Sequence, residues 1–243
     1  TVFFSGCPLS CVYCQNYEIS SNGEGKVISV NELVEIFKIL EQAGALNINL
    51  VTPTHFSKFI IEALKLYKPT IPVVWNTSGY ESEEIIEQLE GLVDIFLTDI
   101  KYFDPQLSAK YSKAEDYFEK TNKAVLKMRK IVGEDEIENG LMKKGIIVRH
   151  LVLPGCTNDS VKILEWVSEN LGNDTIVSIM NQYVPCGNVG LFRELNRKVT
   201  NIEYSRVVKK AQRLGLNNAF IQDGDSSSTE YIPVFKDDKP FGY

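Results

Sequence analysis

Three cysteines are the residues whose spacing most clearly indicates chemistry in this sequence. Cys7, Cys11 and Cys14 form the pattern C-x3-C-x2-C within one short segment. Thiolates on such a loop can bind three irons of a cubane iron–sulfur cluster, which leaves the fourth iron without a protein ligand. An open coordination position is typical of catalytic metal sites, whereas structural sites are closed. The motif therefore predicts a [4Fe–4S] cluster with one iron available to a small molecule.

Two other interpretations of the cysteines fit this pattern less well. Structural zinc requires a fourth ligand, which His55, Cys156 or Cys186 could supply, but zinc motifs favour paired ligands over triplets. A disulfide framework is disfavoured because the chain has five cysteines, and three of them lie within eight residues. Clustered thiols of this kind indicate a reducing, cytoplasmic compartment. We interpret Cys156 and Cys186 as free thiols.

The composition is that of an ordinary soluble protein and excludes several classes. Apolar residues make up 44% of the chain and the net charge is −6, with no basic stripe to indicate nucleic-acid binding. No apolar run is long enough to span a membrane, and no secretion signal is visible. The first strand begins directly after Thr1, so we expect that a preceding segment is missing.

Strand-like and helix-like segments alternate along the chain. Because repeated strand–helix units require parallel strands with right-handed crossovers, we predict an α/β fold. Six good units and a seventh strand favour a partial (β/α)6 TIM-type barrel with outer helices. We expect one domain over 1–243, with the barrel at about 1–222 and a C-terminal tail at 223–243. The charged segment 133–144 is predicted to be a loop.

Polar residues follow the carboxyl end of nearly every predicted strand. They form five groups, at 7–14, 52–55, 76–78, 99–101 and from 182 onward. In a parallel β/α fold, the chemistry lies on the loops at this end of the strands. Any single loop is ordinarily polar, so only the coincidence of all five groups indicates a shared site.

These motifs resemble the signature of the radical S-adenosylmethionine superfamily, in which an aromatic residue such as Tyr13 stands directly before the third cysteine. From Thr1 to about Gly215, the chain is similar to proteins of the pyruvate formate-lyase activating enzyme-like subfamily. The other segments that carry the resemblance are Asn47–His55, Trp75–Tyr80, Asp99–Lys101, Val148–Pro154, Gln182–Cys186 and Leu195–Arg197.

The resemblance implies a function and its cofactors. Members use a [4Fe–4S] cluster to cleave S-adenosylmethionine reductively, and the resulting 5′-deoxyadenosyl radical abstracts hydrogen from a substrate. It further implies an electron donor of the flavodoxin or ferredoxin type, and a glycyl radical enzyme as the protein that is activated. Two alternatives stay open on the sequence: a radical enzyme acting on a small molecule, and a zinc-binding scaffold without turnover.

The resemblance also assigns cofactor contacts to this chain. They are Tyr13, Thr52, Thr54, His55, Asn76, Ser78, Asp99, Lys101, Arg149 and Gln182. The sequence departs from the family in two of these places. Thr52 to His55 stand where a Gly-Gly-Glu stretch often binds the amino group of the cofactor. Gln182 stands where the activating enzymes have a histidine that contacts the ribose.

The residues themselves leave some of these roles open. His55 is equally a ligand contact or a residue at the start of a helix. Asn76 and Ser78 are either cofactor contacts or part of a capped turn, for which Ser82 competes.

For the charged residues, strand geometry predicts more specific roles. Residues two apart on a strand share a face, so Asp99 and Lys101 can point at one ligand, the alternative being an exposed ion pair. Arg149 lies in a buried strand, where a charge needs a partner. His150 faces the other way and is interpreted as a packing residue.

Overall fold

The computed structural model describes residues 1–222, so the predicted tail 223–243 lies outside the described residues. Seven strands run parallel in one sheet, and an eighth pairs antiparallel with one of them. The strands are β1 (Val2–Phe3), β2 (Ile48–Val51), β3 (Val73–Thr77), β4 (Ile95–Asp99), β5 (Glu136–Glu138), β6 (Leu141–Leu151), β7 (Ile176–Met180) and β8 (Ala219–Ile221).

Helices connect most of the parallel strands. They are α1 (Tyr17–Ser20), α2 (Val30–Gln42), α3 (Ser57–Leu66), α4 (Glu83–Gln88), α5 (Pro105–Ser112), α6 (Tyr117–Val132), α7 (Thr157–Leu171) and α8 (Asn201–Leu214). Local sequence explains their ends. Ser29 and Glu32 form a capping box at the start of α2, and α8 ends at Gly215, which adopts a left-handed conformation. Within residues 1–222, no helix has the length and apolar character needed to cross a membrane.

The sheet does not close into a complete barrel. Its strand order is β1-β2-β3-β4-β6-β7-β8, and the described residues contain no pairing between β1 and β8. The predicted architecture, a partial barrel of parallel strands with outer helices, is confirmed. The structure has seven parallel strands, because the short segment Ala219–Ile221 does join the sheet beside β7.

The two faces of the sheet differ in burial. Along β2, β4, β6 and β7, fully buried residues alternate with partly exposed ones. The buried set packs against the helices and forms an aliphatic core, here called the sheet core; it includes Leu50, Trp75, Phe96, Val148 and Ile179. The alternate set faces the concave side and stays partly accessible. The concave face can therefore receive a ligand.

The predicted loop at 133–144 is wrong. Residues Glu136–Glu138 and the first part of β6 form an antiparallel hairpin instead. Its turn is Asn139-Gly140, and both residues have positive φ, of 52° and 77°. Asn-Gly is the strongest short-range hairpin signal in a sequence, but the many charged residues around it obscured the strand pattern.

Candidate functional site

The three clustered cysteines lie on the loop that follows β1, and all three side chains are half-buried. Each sulfur has one hydrogen-bond partner. The backbone N–H of Leu9 donates to Cys7 Sγ at 3.4 Å. Ser112 Oγ donates to Cys11 Sγ at 3.0 Å, and Ser20 Oγ lies 3.2 Å from Cys14 Sγ. The sulfurs therefore sit among polar groups that suit thiolates.

The loop is fixed by backbone contacts to two distant segments. The N–H groups of Ser10 and Val12 donate to the carbonyls of Ser112 and Tyr111 at the end of α5, at 3.2 and 2.9 Å. On the other side, Asn188 N–H donates to the Val12 carbonyl at 2.7 Å. A Cβ atom at Gly187 would lie 2.7 Å from that same carbonyl, so the close approach requires glycine there.

Burial disfavours the thiolate forms of Cys7 and Cys11 when no metal balances them. It raises the pKa of Cys7 to about 11 and also raises the pKa of Cys11. Metal ligands must be deprotonated, so cluster binding would release these protons. Among residues 1–222, no three His, Cys, Asp or Glu side chains surround a point that a single metal ion could occupy. A cubane differs from a single ion because its three thiolates bind three separate irons.

A charged network occupies the concave face beside the cysteine loop. Asp99 at the end of β4 accepts from Arg149 Nε at 2.8 Å and from Lys101 Nζ at 2.5 Å. Arg149 Nη2 also donates to Asn76 Oδ1 at 2.7 Å. The parallel register, which pairs Asp99 with Arg149, brings these groups together. The predicted side-by-side placement of Asp99 and Lys101 is thus seen, with Arg149 as a third member.

Electrostatics favour the charged forms of Asp99 and Lys101 in this network. Burial opposes ionisation of Asp99, but Arg149 and Lys101 outweigh it and hold the pKa of Asp99 below its usual range. Burial also opposes the charge on Lys101, and Asp99 outweighs it and raises the pKa of Lys101. Two cations share one carboxylate, so the network carries a net positive charge. It suits the carboxylate or the hydroxyl groups of a bound molecule.

The loops after β2 and β3 are joined by Glu81, a residue that the sequence reasoning missed. Its buried Oε1 accepts from Thr54 Oγ1 at 2.7 Å, Thr77 Oγ1 at 2.6 Å and Trp75 Nε1 at 3.0 Å. Burial raises the pKa of Glu81 despite these donors. No sequence motif indicates this role, because Thr54 lies 27 residues away in the loop after β2, although Trp75 and Thr77 are nearby on β3. The Thr54 hydroxyl is engaged here as a donor.

The other predicted contacts lie in several places. His55 Nε2 is 2.6 Å from the carbonyl of Ser5, beside the cysteine loop. Gln182 follows β7, and its side-chain carbonyl accepts from the side-chain amide of Gln222, directly after β8, at 3.3 Å. Tyr13 is buried, and its hydroxyl lies 2.6 Å from that of Tyr102. A role for these three residues at the cofactor stays a prediction.

Thr52 has an unusual backbone conformation. Its φ is +56°, a left-handed conformation that is an outlier for a β-branched residue. Its N–H donates to the Asn76 carbonyl at 2.9 Å, which ties the end of β2 to β3. Strain of this kind concentrates at binding sites.

Tyr117 connects the strand ends to the helices. Its hydroxyl accepts from the backbone N–H of Lys101 at 2.9 Å and lies 2.7 Å from the Ser78 carbonyl and 3.2 Å from that of Asp99. It belongs to a second apolar cluster beside the cysteine loop, here called the tyrosine cluster. Its tyrosines are Tyr13, Tyr102, Tyr111, Tyr117 and Tyr183.

The residues present fit the iron–sulfur cluster and cofactor that the cysteine motif indicates. Cys7, Cys11 and Cys14 supply three thiolates from one fixed loop. Among residues 1–222, the buried hydroxyl of Ser78 and the buried side-chain carbonyl of Asn49 find no protein partner, and buried polar groups ordinarily have one. Together with Lys101 and Arg149, they offer the mixed polar and cationic surroundings that a zwitterionic nucleoside requires.

Comparison with known proteins identifies the family. Residues 1–167 match the Radical SAM superfamily profile, and the chain belongs to that superfamily. The cofactors of this superfamily are a [4Fe–4S] cluster and S-adenosylmethionine.

Individual relatives add detail. The chain is 31% identical over 230 residues to an uncharacterized protein of Methanocaldococcus jannaschii, covering 89% of this chain and 63% of that protein. The chain thus spans less than two thirds of this relative's length. It is 26% identical over 196 residues to a pyruvate formate-lyase-activating enzyme of Clostridium pasteurianum, covering 74% of this chain and 73% of that enzyme.

Solved structures share the fold. The structure of native anSMEcpe with bound AdoMet superposes with a TM-score of 0.54 at 15% sequence identity, covering 86% of this chain and 58% of that chain. At this low identity, the likeness concerns the partial barrel alone.

Proposed function

We propose that this enzyme activates a glycyl radical enzyme by abstracting hydrogen from a glycine of that partner. In this proposal Cys7, Cys11 and Cys14 bind the cluster. The network of Asp99, Lys101 and Arg149 binds S-adenosylmethionine. The observation that carries the cofactor assignment is the placement of this partly exposed network next to the thiol loop, where Lys101 interacts electrostatically with Cys7 and Cys11.

Each group in the chain has a defined task. When bound, the cluster and S-adenosylmethionine supply one-electron cleavage of a sulfonium and abstraction of a hydrogen atom from a substrate. Lys101 and Arg149 donate to the carboxylate or ribose of the cofactor, and Asp99 orients both cations. Asn76 accepts a hydrogen bond from the second arm of Arg149, and Ser78 offers a hydroxyl that has no partner within residues 1–222.

The choice of a protein substrate has two supports. The first is the similarity to the Clostridium pasteurianum activating enzyme. The second is the open sheet, in which β1 and β8 stay unpaired with each other within residues 1–222. A gap between two strands gives a peptide segment of another protein access to the concave face, which a closed barrel would deny.

Cysteine variants test the cluster assignment. Cys7→Ala, Cys11→Ala and Cys14→Ala should each abolish reconstitution of the four-iron cluster, because each removes a ligand. Iron and sulfide content and absorbance near about 400 nm measure this after anaerobic reconstitution. Cys156→Ala and Cys186→Ala are matched controls and should bind as much iron as the wild-type protein. Full iron loading in the triplet variants would overturn the assignment.

The charged network is tested by cofactor binding. Lys101→Met or Arg149→Met should weaken S-adenosylmethionine binding at least about tenfold, which corresponds to only roughly 1.4 kcal/mol. Isothermal titration to the reconstituted protein measures the affinity, and iron content should stay normal in both variants. Lys123→Met, at an exposed pair on α6, is the control. Unchanged affinity in both network variants would show that these ions are structural.

The substrate is tested in two stages. Reconstituted enzyme with dithionite and S-adenosylmethionine should release 5′-deoxyadenosine, and the Cys11→Ala protein should not. Purified pyruvate formate-lyase is then added, and electron paramagnetic resonance should detect a glycyl radical in it. Cleavage of the cofactor without a radical in pyruvate formate-lyase would rule out this enzyme as the partner and favour a small molecule as the substrate.

A further inference from the structure

Three hydroxyl groups form a buried chain that ends on the sulfur of Cys11. Ser112 Oγ lies 3.0 Å from Cys11 Sγ, and Tyr102 Oη lies 2.7 Å from Ser112 Oγ. Tyr13 Oη lies 2.6 Å from Tyr102 Oη. Ser112 and Tyr102 are each 1% exposed. Water is thus excluded from the chain, and its hydrogen bonds are made within the protein.

When Cys11 is a thiolate, the hydrogen bonds between these hydroxyl groups can all point in only one direction, toward the sulfur. A thiolate has no proton, so Ser112 must donate its single proton to the sulfur. Ser112 then accepts from Tyr102, and Tyr102 accepts from Tyr13. Hydrogen bonds aligned in this way polarise one another. The donor that reaches Cys11 is therefore stronger than an isolated serine hydroxyl.

The backbone holds Ser112 against this cysteine. The N–H groups on either side of Cys11, those of Ser10 and Val12, bind the carbonyls of Ser112 and Tyr111. The helix that carries Ser112 ends directly afterwards at Lys113, which adopts φ +54°. The serine is thus fixed relative to Cys11 from both sides.

The other two cysteines lack such support. Cys7 accepts a longer bond of 3.4 Å from a backbone amide. Ser20, beside Cys14, is partly exposed, and its hydroxyl also lies 3.5 Å from that of Ser21. Of the three sulfurs, Cys11 Sγ is therefore the one with a short hydrogen bond from a buried donor that is itself part of an aligned series.

We propose that Ser112 is a positioning residue that donates to the Cys11 thiolate and, with Tyr102 and Tyr13 behind it, raises the reduction potential of the cluster. The inference rests on the proposed binding of the cluster by Cys11. Hydrogen bonds to its sulfurs are among the factors that set a cluster's potential. One electron added to the cluster, here from dithionite, increases the negative charge on the thiolates. The donor hence stabilises the reduced state more than the oxidised state.

A redox titration followed by electron paramagnetic resonance tests this on the reconstituted protein without S-adenosylmethionine. Ser112→Ala should lower the equilibrium constant for one-electron reduction about tenfold, which is about 59 mV toward more negative potential. Tyr102→Phe should shift the potential in the same direction by less, because Ser112 keeps its proton but loses its polarising partner.

The same helix offers a matched control. Ser108 is fully buried on α5, and its hydroxyl lies 3.1 Å from the Pro105 carbonyl. Ser108→Ala should leave the potential unchanged. A wild-type potential in Ser112→Ala protein that carries four irons, or an equal shift in Ser108→Ala, would overturn the proposal.

Iron content separates this result from failure of the ligand assignment. If Cys11→Ala protein binds a full cluster, the assignment of Cys11 is wrong. If the Ser112→Ala protein does not take up iron, the potential of Tyr102→Phe tests the proposal instead, because this variant keeps both Ser112 and the aromatic ring at position 102. A wild-type potential in that variant would then contradict the aligned chain.

Discussion

The sheet core and the tyrosine cluster are two apolar regions that hold their neighbours in different ways. The sheet core is mainly aliphatic and lies between the strands and the helices. The tyrosine cluster borders the cysteine loop, and the hydroxyl of each of its five tyrosines has a hydrogen-bond partner. Aliphatic packing is non-directional, whereas a hydroxyl fixes the position of one atom. The site is thus held by directional contacts and the scaffold by buried area.

The comparison predicts that the largest loss of stability comes from the sheet core. Phe96 on β4 is fully buried there, and Phe96→Ala should lower the free energy of unfolding by about 3–5 kcal/mol. Urea denaturation measures it. Phe59→Ala, at a half-exposed position on α3, should change stability by no more than about 0.5 kcal/mol. Similar losses in the two variants would contradict the assignment of the sheet core.

A pH prediction concerns His150, a polar residue on the outer face of the sheet. Its Nδ1 donates to the Ile100 carbonyl at 2.8 Å and its Nε2 accepts from Ser160 at 2.9 Å. Burial lowers the pKa of His150 to about 4. The unfolded chain binds this proton more readily, near pH 6.5. Stability should therefore fall as pH drops from about 6.5 to 4, by about 3 kcal/mol in total.

His150→Gln isolates this contribution, since the variant lacks the titrating ring. Urea denaturation at pH 7 and pH 4.5 should show a smaller loss in the variant than in the wild type. Equal losses would mean that other groups cause the acid sensitivity.

A substitution in the tyrosine cluster should cost less stability than one in the sheet core but should weaken cofactor binding more. Tyr117→Phe removes the hydroxyl that holds Lys101 N–H and the Ser78 carbonyl. The free energy of unfolding should fall by about 1–3 kcal/mol, and affinity for S-adenosylmethionine should fall about tenfold because both strand ends loosen. Thermal unfolding and calorimetric titration measure the two effects.

Tyr204 gives the matched control, because it is the buried tyrosine of the sheet core, and its hydroxyl donates to the Ile179 carbonyl. Tyr204→Phe should cost similar stability and leave the affinity within about twofold, a difference below about 0.5 kcal/mol. Equal losses of affinity in the two variants would remove the distinction between the regions.

The smallest effect is expected outside both regions. Lys123 and Glu119 form an exposed ion pair on α6 at 3.1 Å. Lys123→Ala should change the free energy of unfolding by no more than about 0.5 kcal/mol. Urea denaturation checks this, and a loss above about 1 kcal/mol would show that surface charge contributes to the scaffold.

The two regions also differ in what the sequence predicts. The sheet core follows from apolar periodicity, a local signal, and the strand–helix alternation correctly indicated the partial barrel. The link between Tyr13 and Tyr102 spans 89 positions, and that between Cys11 and Ser112 spans 101. No local pattern encodes such a pair. Glu81 was missed because one of its three partners, Thr54, lies 27 residues earlier in the chain, whereas the cysteines were found because their spacing is local.

The hairpin of β5 and β6 has a consequence for how the chain reaches its fold. The parallel strands pair only across long crossovers, and pairings between distant segments slow folding. The hairpin needs only its two-residue turn, and such units form within about 1–10 μs. Since β6 lies in the middle of the sheet, between β4 and β7, it would be the first strand available as a template. The other strands would then assemble on both sides of an early nucleus, and the two edges would form last.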